Sequence, residues 1–278
     1  MSITEDKLRI ETAVSDIKTE IINKGVDVPE GTRIDGLPSL ISSIPSGGDD
    51  ETLKGLIDRS ITSVTVPDGV TSIGDYAFSY SQNLESAELP REVTTIGRYA
   101  FNGCSKLTQI NIPSGITEIK ENTFAGCTQL TLQELPNGIT KINGFAFQSC
   151  ASIALHSLPD GITYIGTQAF ISCKNMYLSK LPDKIEFLGD YCFANNSNII
   201  INTMPNSVKT IRGLVFNYNT SITYLTFKGT PDSINPNAFS NMSNLTVLNV
   251  PWSEGAVANA PWGAVNATIN YNYNETGV

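Results

Sequence analysis

Apolar and polar positions repeat along most of this chain as a long block, not as a simple strand or helix wave. In residues 97–119 the apolar set is Ala100, Phe101, Cys104, Leu107, Ile110, Ile112, Ile116 and Ile119. The block returns in register from about Ile57 to Pro251. Phenylalanines step by 23 residues from Phe78 to Phe239, and prolines keep the same step from Pro67 to Pro205 and again at Pro251. Each block reads as four elements. Leu107, Ile110 and Ile112 form a strand with apolar side chains turned inward, because side chains alternate along a strand. Pro113-Ser-Gly is a turn, and its equivalents Pro67-Asp-Gly, Pro136-Asn-Gly and Pro159-Asp-Gly place Gly where φ > 0 can be needed. Ile116 and Ile119 begin a second extended edge, beside a threonine column of Thr71, Thr94, Thr117, Thr140 and Thr163. Ala100-Phe101 then closes the coil, with one short helical turn expected there.

A fixed period of this length, with Leu and Ile at set offsets, reads as a leucine-rich-repeat solenoid in which each block is one coil. The fold class expected is therefore α/β, with parallel strands and short helical turns. Residues 84–104 and 107–127 also carry Leu-x-x-Ile-x-Ile-Pro-x-x-Val-x-x-Ile-Gly-x-x-Ala-Phe-x-x-Cys almost position for position. This resembles the BspA-like leucine-rich repeats, over about 190 residues. The resemblance implies a right-handed solenoid with strands on one face and a binding role, in a group whose members are often surface or adhesion proteins. The solenoid is expected over 61–251, as eight repeats.

Before it, Ile10, Val14, Ile17 and Ile21 step by four, three and four, which predicts a helix over 4–24 ended by Gly25. That seam either packs locally or forms a short coiled coil that makes the chain a homo-oligomer. A linker is expected at Pro45-Ser-Gly-Gly-Asp-Asp, so residues 1–45 form a helical attachment or oligomerisation segment and 50–60 a cap helix. After Pro251 the small-residue tail 252–278, with Trp252 and Trp262, is expected to cap the open end; a carbohydrate-stacking site is the alternative. Ile21–Thr32 followed by Leu37–Ile44, and the tail, resemble ends of tailed-phage and prophage structural proteins. This implies a virion component as the second functional reading.

Four consecutive units depart from the pattern. Their inward set moves from Leu-x-x-Ile-x-Ile to Leu-x-Leu-x-x-Leu, as in Leu130/Leu132/Leu135, Ile153/Leu155/Leu158, Met176/Leu178/Leu181 and Ile199/Ile201/Met204. The shift makes two adjacent polar columns of Gln133-Glu134, His156-Ser157, Ser179-Lys180 and Asn202-Thr203, and predicts a local bulge. These eight residues are the candidate partner-binding set; drift within one repeat family is the plain alternative. Tyr76, Tyr99 and Tyr191 share a slot with Phe145 and form either a contact stripe or inter-coil packing.

Charge and chemistry narrow the reading. A formal net charge of −9 argues against nucleic acid or an anionic membrane surface as partner. No apolar run is long enough to span a bilayer, and residues 1–7 lack a signal peptide's basic and apolar regions. The location expected is the cytoplasm, a virion, or a cell surface reached with a leader outside this sequence. Cys104, Cys127, Cys150 and Cys173 form a column spread over roughly 14 Å at the spacing of parallel strands, too wide for one zinc ion. Parallel Cβ vectors also hold neighbouring thiols too far apart for disulfides. They read, with Cys192, as small buried hydrophobes. His156 is the sole histidine and sits in a polar column, so no catalytic residues are assigned. No cofactor or metal is expected, and the partner is a protein or a carbohydrate.

Overall fold

In the computed structural model the 23-residue block is one coil of a parallel β-solenoid of about nine turns. The structure describes residues 61–274 apart from Pro67. The segments expected as helices over 1–45 and 50–60 lie outside the described residues.

Each regular coil contributes two short strands. The first slot holds β1 (Ser63–Thr65), β3 (Ser86–Glu88) and β5 (Gln109–Ile110), and later β10 (Thr203–Met204), β12 (Tyr224–Phe227), β14 (Val247–Asn249) and β15 (Thr268–Asn270). The second slot holds β2 (Ser72–Ile73), β4 (Thr95–Ile96), β6 (Glu118–Ile119), β7 (Lys141–Ile142), β8 (Tyr164–Ile165), β9 (Phe187–Leu188), β11 (Thr210–Ile211) and β13 (Ser233–Ile234). All pairings are parallel. Ser63 faces Ser86 and Ile142 faces Ile165, so like residues sit over like. In the threonine column, the Thr94 N–H and hydroxyl both donate to the Thr71 carbonyl, at 2.9 and 3.4 Å. Thr140 and Thr163 do the same to the threonine one coil earlier.

The core is a column of rings. Phe78, Phe101, Phe124, Phe147, Phe170, Phe193 and Phe216 stack with neighbouring centroids 5.0–5.7 Å apart and planes within 16°. All are buried, as is Phe239. Trp262 stands one further step of 23 beyond Phe239 and is fully buried, so the tail continues as another coil. Trp252 packs edge-on against both Trp262 and Phe227. With both indoles buried, the carbohydrate-stacking alternative for this pair falls.

The segment that closes each coil is not helical; no helix occurs among the described residues. Amides there alternate. Asn122, Phe124 and Gly126 donate to carbonyls of the next coil at 2.8–3.1 Å, whereas Thr123, Ala125 and Cys127 donate three residues back at 3.1–3.4 Å. Reaching both sets places two residues per coil in the left-handed region: Tyr76 and Tyr80, Asn122 and Gly126, Phe145 and Ser149, Gln168 and Ser172. Each non-glycine residue there costs about 1–2 kcal/mol. A helix would avoid that cost, but it would spend its amides inside one coil and leave the stack unbonded. Three inter-coil bonds at about 0.5–1.5 kcal/mol each offset the strain. The Pro-x-Gly turns need less than the sequence suggests. Only Gly69 has φ > 0; Gly115 and Gly138 do not, and an added Cβ there would meet neighbours at 3.3 Å.

The cysteine slot carries more than bulk. The thiols of Cys104, Cys127, Cys150 and Cys173 donate to the carbonyls of Phe78, Phe101, Phe124 and Phe147, at 3.0–3.1 Å. One and two coils later the slot holds Asn196 and Asn219, whose amides donate to Phe170 and Phe193 at 2.7 and 3.0 Å. From Cys104 to Asn219 the slot holds a small buried donor, and one coil further on it holds the buried Met242. Cys150→Val is therefore expected to cost about 0.5–1.5 kcal/mol by removing one of the two donors to the Phe124 carbonyl, which keeps the Cys127 N–H. Cys150→Asn should cost less. Urea unfolding of the two variants checks the order. In the same assay Phe147→Ala should lose about 3–5 kcal/mol.

Candidate binding face

The outer surface of the first strand slot is where the repeat changes character. In the first three coils Val64, Ala87 and Ile110 point inward, and Ser63, Thr65, Ser86, Glu88, Gln109 and Asn111 line the outside. From Leu130 the inward residues move by one position. No strand is present in this slot between Ile110 and Thr203. The sequence predicts a local bulge here; the structure has instead no strand at all in this stretch of the slot. The backbone there keeps single inter-coil bonds: Ala154 to the Leu132 carbonyl, Tyr177 to Leu155 and Ile200 to Leu178, at 2.9–3.0 Å.

The eight candidate residues do stand in two columns over the gap. Gln133, Glu134, His156, Ser157, Ser179 and Lys180 are exposed, and Asn202 and Thr203 are half-buried. The structure adds three side chains that the sequence reading missed. Tyr177, Ile200 and Tyr224 are 41%, 38% and 43% exposed, unusually open for residues of this size. Two of them touch the candidate set. The His156 ring lies 6.0 Å from that of Tyr177, and the Asn202 amide donates to the Tyr224 hydroxyl at 2.7 Å. The Thr203 hydroxyl in turn donates to the Asn202 side-chain Oδ1 at 3.1 Å. The missed signal was present in the Leu-x-Leu shift. Once Leu178 and Ile201 turn inward, alternation forces Tyr177 and Ile200 outward.

A shallow trough of about 630 Å³ runs over β1, β3, β5 and the following coil. It reaches Gln133 and Glu134 and none of the other six candidates. On the coil-closing side, Tyr76 and Tyr99 stack at 4.8 Å, with Tyr76 54% exposed. That pair is both packing and exposed aromatic surface.

The chemistry of these groups is that of contact. His156 is exposed and has no hydrogen bond to a carboxylate or thiol among the described residues. No three of His, Cys, Asp and Glu come together there to hold a metal ion. No helix among the described residues is long and apolar enough to cross a membrane. The five cysteines are buried and form no disulfide, and burial pushes the thiols of Cys127, Cys150, Cys173 and Cys192 well up from their ordinary value.

Comparison with known proteins agrees with this geometry. A family model described as a BspA type leucine rich repeat region matches residues 57–177 and 142–259. No curated protein matches the chain. Among solved structures, a leucine-rich repeat protein from Bacteroides ovatus is 23% identical, with 75% of this chain and 68% of that one covered at a TM-score of 0.43. One from Eubacterium ventriosum is 17% identical, covering 88% and 77% at 0.42. A leucine rich cell surface protein from Faecalibacterium prausnitzii is 19% identical, covering 78% and 89% at 0.33. The family match does not reach residues 1–45, so the phage resemblance of that end gains nothing from it.

The buried thiols give a pH dependence with a definite sign. Their folded pKa values lie above the unfolded ones, so the unfolded chain releases these protons first as pH rises. Their contribution is complete below about pH 8.5 and is lost above it, by about 1.4 kcal/mol per pH unit for each thiol. Unfolding free energies between about pH 9 and 10.5 should fall less steeply in Cys150→Asn than in the parent.

Proposed function

The chain belongs to the BspA-type leucine-rich-repeat family, and on that premise we propose that it is a non-catalytic interaction protein. Its first strand slot offers a rigid surface to a protein or glycan partner, with adhesion to a cell surface as the setting. One observation carries this reading. Exposed Tyr177, Ile200 and Tyr224 stand beside His156 and Asn202 on a face whose positions are fixed by the coils beneath.

Several features support a contact role. Tyrosine brings large contact area with few rotatable bonds, and aromatic residues are enriched at the energetic centres of interfaces. A solenoid holds such side chains in place before the partner arrives, which lowers the ordering cost of binding. The hydroxyl and amide groups of Asn202, Ser179 and Ser157 supply directional bonds around the rings. The surrounding charge is mixed, with Glu134 and Lys180 in the same column. The Leu-x-Leu shift thus replaces a regular ladder with an adaptable polar and aromatic surface on a stiff base.

The test is a screen of the full chain against arrays of oligosaccharides and immobilised extracellular proteins. A ligand found in this way should lose tenfold or more in affinity with Tyr177→Ala combined with Tyr224→Ala, since truncated hot spots cost 2 kcal/mol or more. His156→Glu and Lys180→Glu should also weaken it. The proposal fails if every ligand bound by the parent is bound equally by these variants while their unfolding midpoints are unchanged.

A further inference from the structure

We infer that the trough over the first four described coils is a docking groove for an extended basic peptide, clamped at Glu88 and Glu134. This rests on reading the strand face as a contact surface; it shares Glu134 with the candidate set but needs no tyrosine. Val64, Ala87 and Ile110 line its base with their side chains turned to the core. The walls are short hydroxyl and amide side chains.

The charge of the lining selects the occupant. Glu88 and Glu134 are its only charged residues, and no cation lines the trough to neutralise them. Both are exposed, and neither makes an ion pair among the described residues. Lys106, on the neighbouring coil surface, is turned to Asn83 at 3.1 Å. With only carboxylates charged in its lining, the trough favours a cationic ligand over an anionic one.

Geometry selects the conformation. Glu88 and Glu134 occupy the same slot two coils apart, with Asn111 between them. Two coil steps, each close to parallel-strand spacing, put their Cα atoms about 9.5 Å apart along the solenoid. Asn111 does not compete for the ligand's cations. Its side chain is held on the Leu89 backbone, accepting from the N–H and donating to the carbonyl, both at 2.7 Å. A polyproline II segment has three residues per turn at about 3.1 Å each, so residues i and i+3 stand on one side about 9.3 Å apart. Lys or Arg at i and i+3 would therefore meet both carboxylates without strain. In a β-strand, residues on one side are spaced by about 6.6 Å and miss this interval.

The probe is acetyl-(Lys-Pro-Pro)3-amide, titrated calorimetrically into the full chain at low salt. Acetyl-(Lys-Pro)4-amide, which changes the lysine spacing, (Gln-Pro-Pro)3 and a neutral hexasaccharide are the comparison ligands. The inference expects the first peptide to bind best, with affinity falling as salt is raised. Glu88→Gln and Glu134→Gln should each weaken it by roughly two- to fivefold. Glu254→Gln, outside the trough, should leave it unchanged, as should Tyr177→Ala. Glu88 lies outside the proposed tyrosine patch, so its variant separates the two readings. Loss of peptide binding in Tyr177→Ala but not in Glu88→Gln would overturn the groove and leave the patch standing. Equal binding of both lysine spacings would also overturn it, as would no binding, or displacement of the peptide's role by the hexasaccharide.

Discussion

Everything in this solenoid depends on one geometric constraint: each coil must end directly above the point where it began. A period of 23 residues satisfies it, and like side chains then meet like at every step. The constraint favours residues that pack well against copies of themselves. Phenyl rings stack offset and parallel, isoleucines interlock, and threonines bond to the carbonyl of the preceding threonine. It also penalises any side chain that cannot tolerate its own image, which is why charged residues lie outside.

This explains which parts of the fold were legible in the sequence. The positions of Phe101, Ile110 and Ile119 revealed the coil because burial imposes the same identity in each repeat. The geometry of the closing segment was not legible. Ala100-Phe101 reads as helix by composition, yet the stack needs amides directed at the next coil, and alternating left-handed residues achieve that. Tyr, Phe, Gln and Leu all occupy these positions, so no glycine signature marks them. The cysteine slot was half legible. Spacing excluded zinc and disulfides, but the donor role emerges only where Asn196 and Asn219 take over the same carbonyl bond.

The candidate site was legible in outline for the same reason. A shift in the inward residues must turn polar ones outward, and Gln133 to Lys180 are exposed as that argument requires. Tyr177, Ile200 and Tyr224 escaped attention because a search for polar columns discards large apolar residues. The face thus divides into a trough with carboxylates at Glu88 and Glu134 and a later patch with exposed rings. A rigid array suits both, because distances between groups are set by coil spacing instead of by loop conformation. Drift in the repeat, where the core still closes, is the means by which such a protein acquires a distinct surface.

The central claim is that the coils are bonded to one another through their closing segments. Residue-resolved amide hydrogen exchange tests it most directly. Asn122, Phe124 and Gly126, and Phe145, Phe147 and Ser149 in the next coil, donate upward in the stack. Their exchange should require an opening free energy close to that of global unfolding. Exchange of these six amides at the rate of exposed turns, while Ile119 and Ile142 stay protected, would contradict the account.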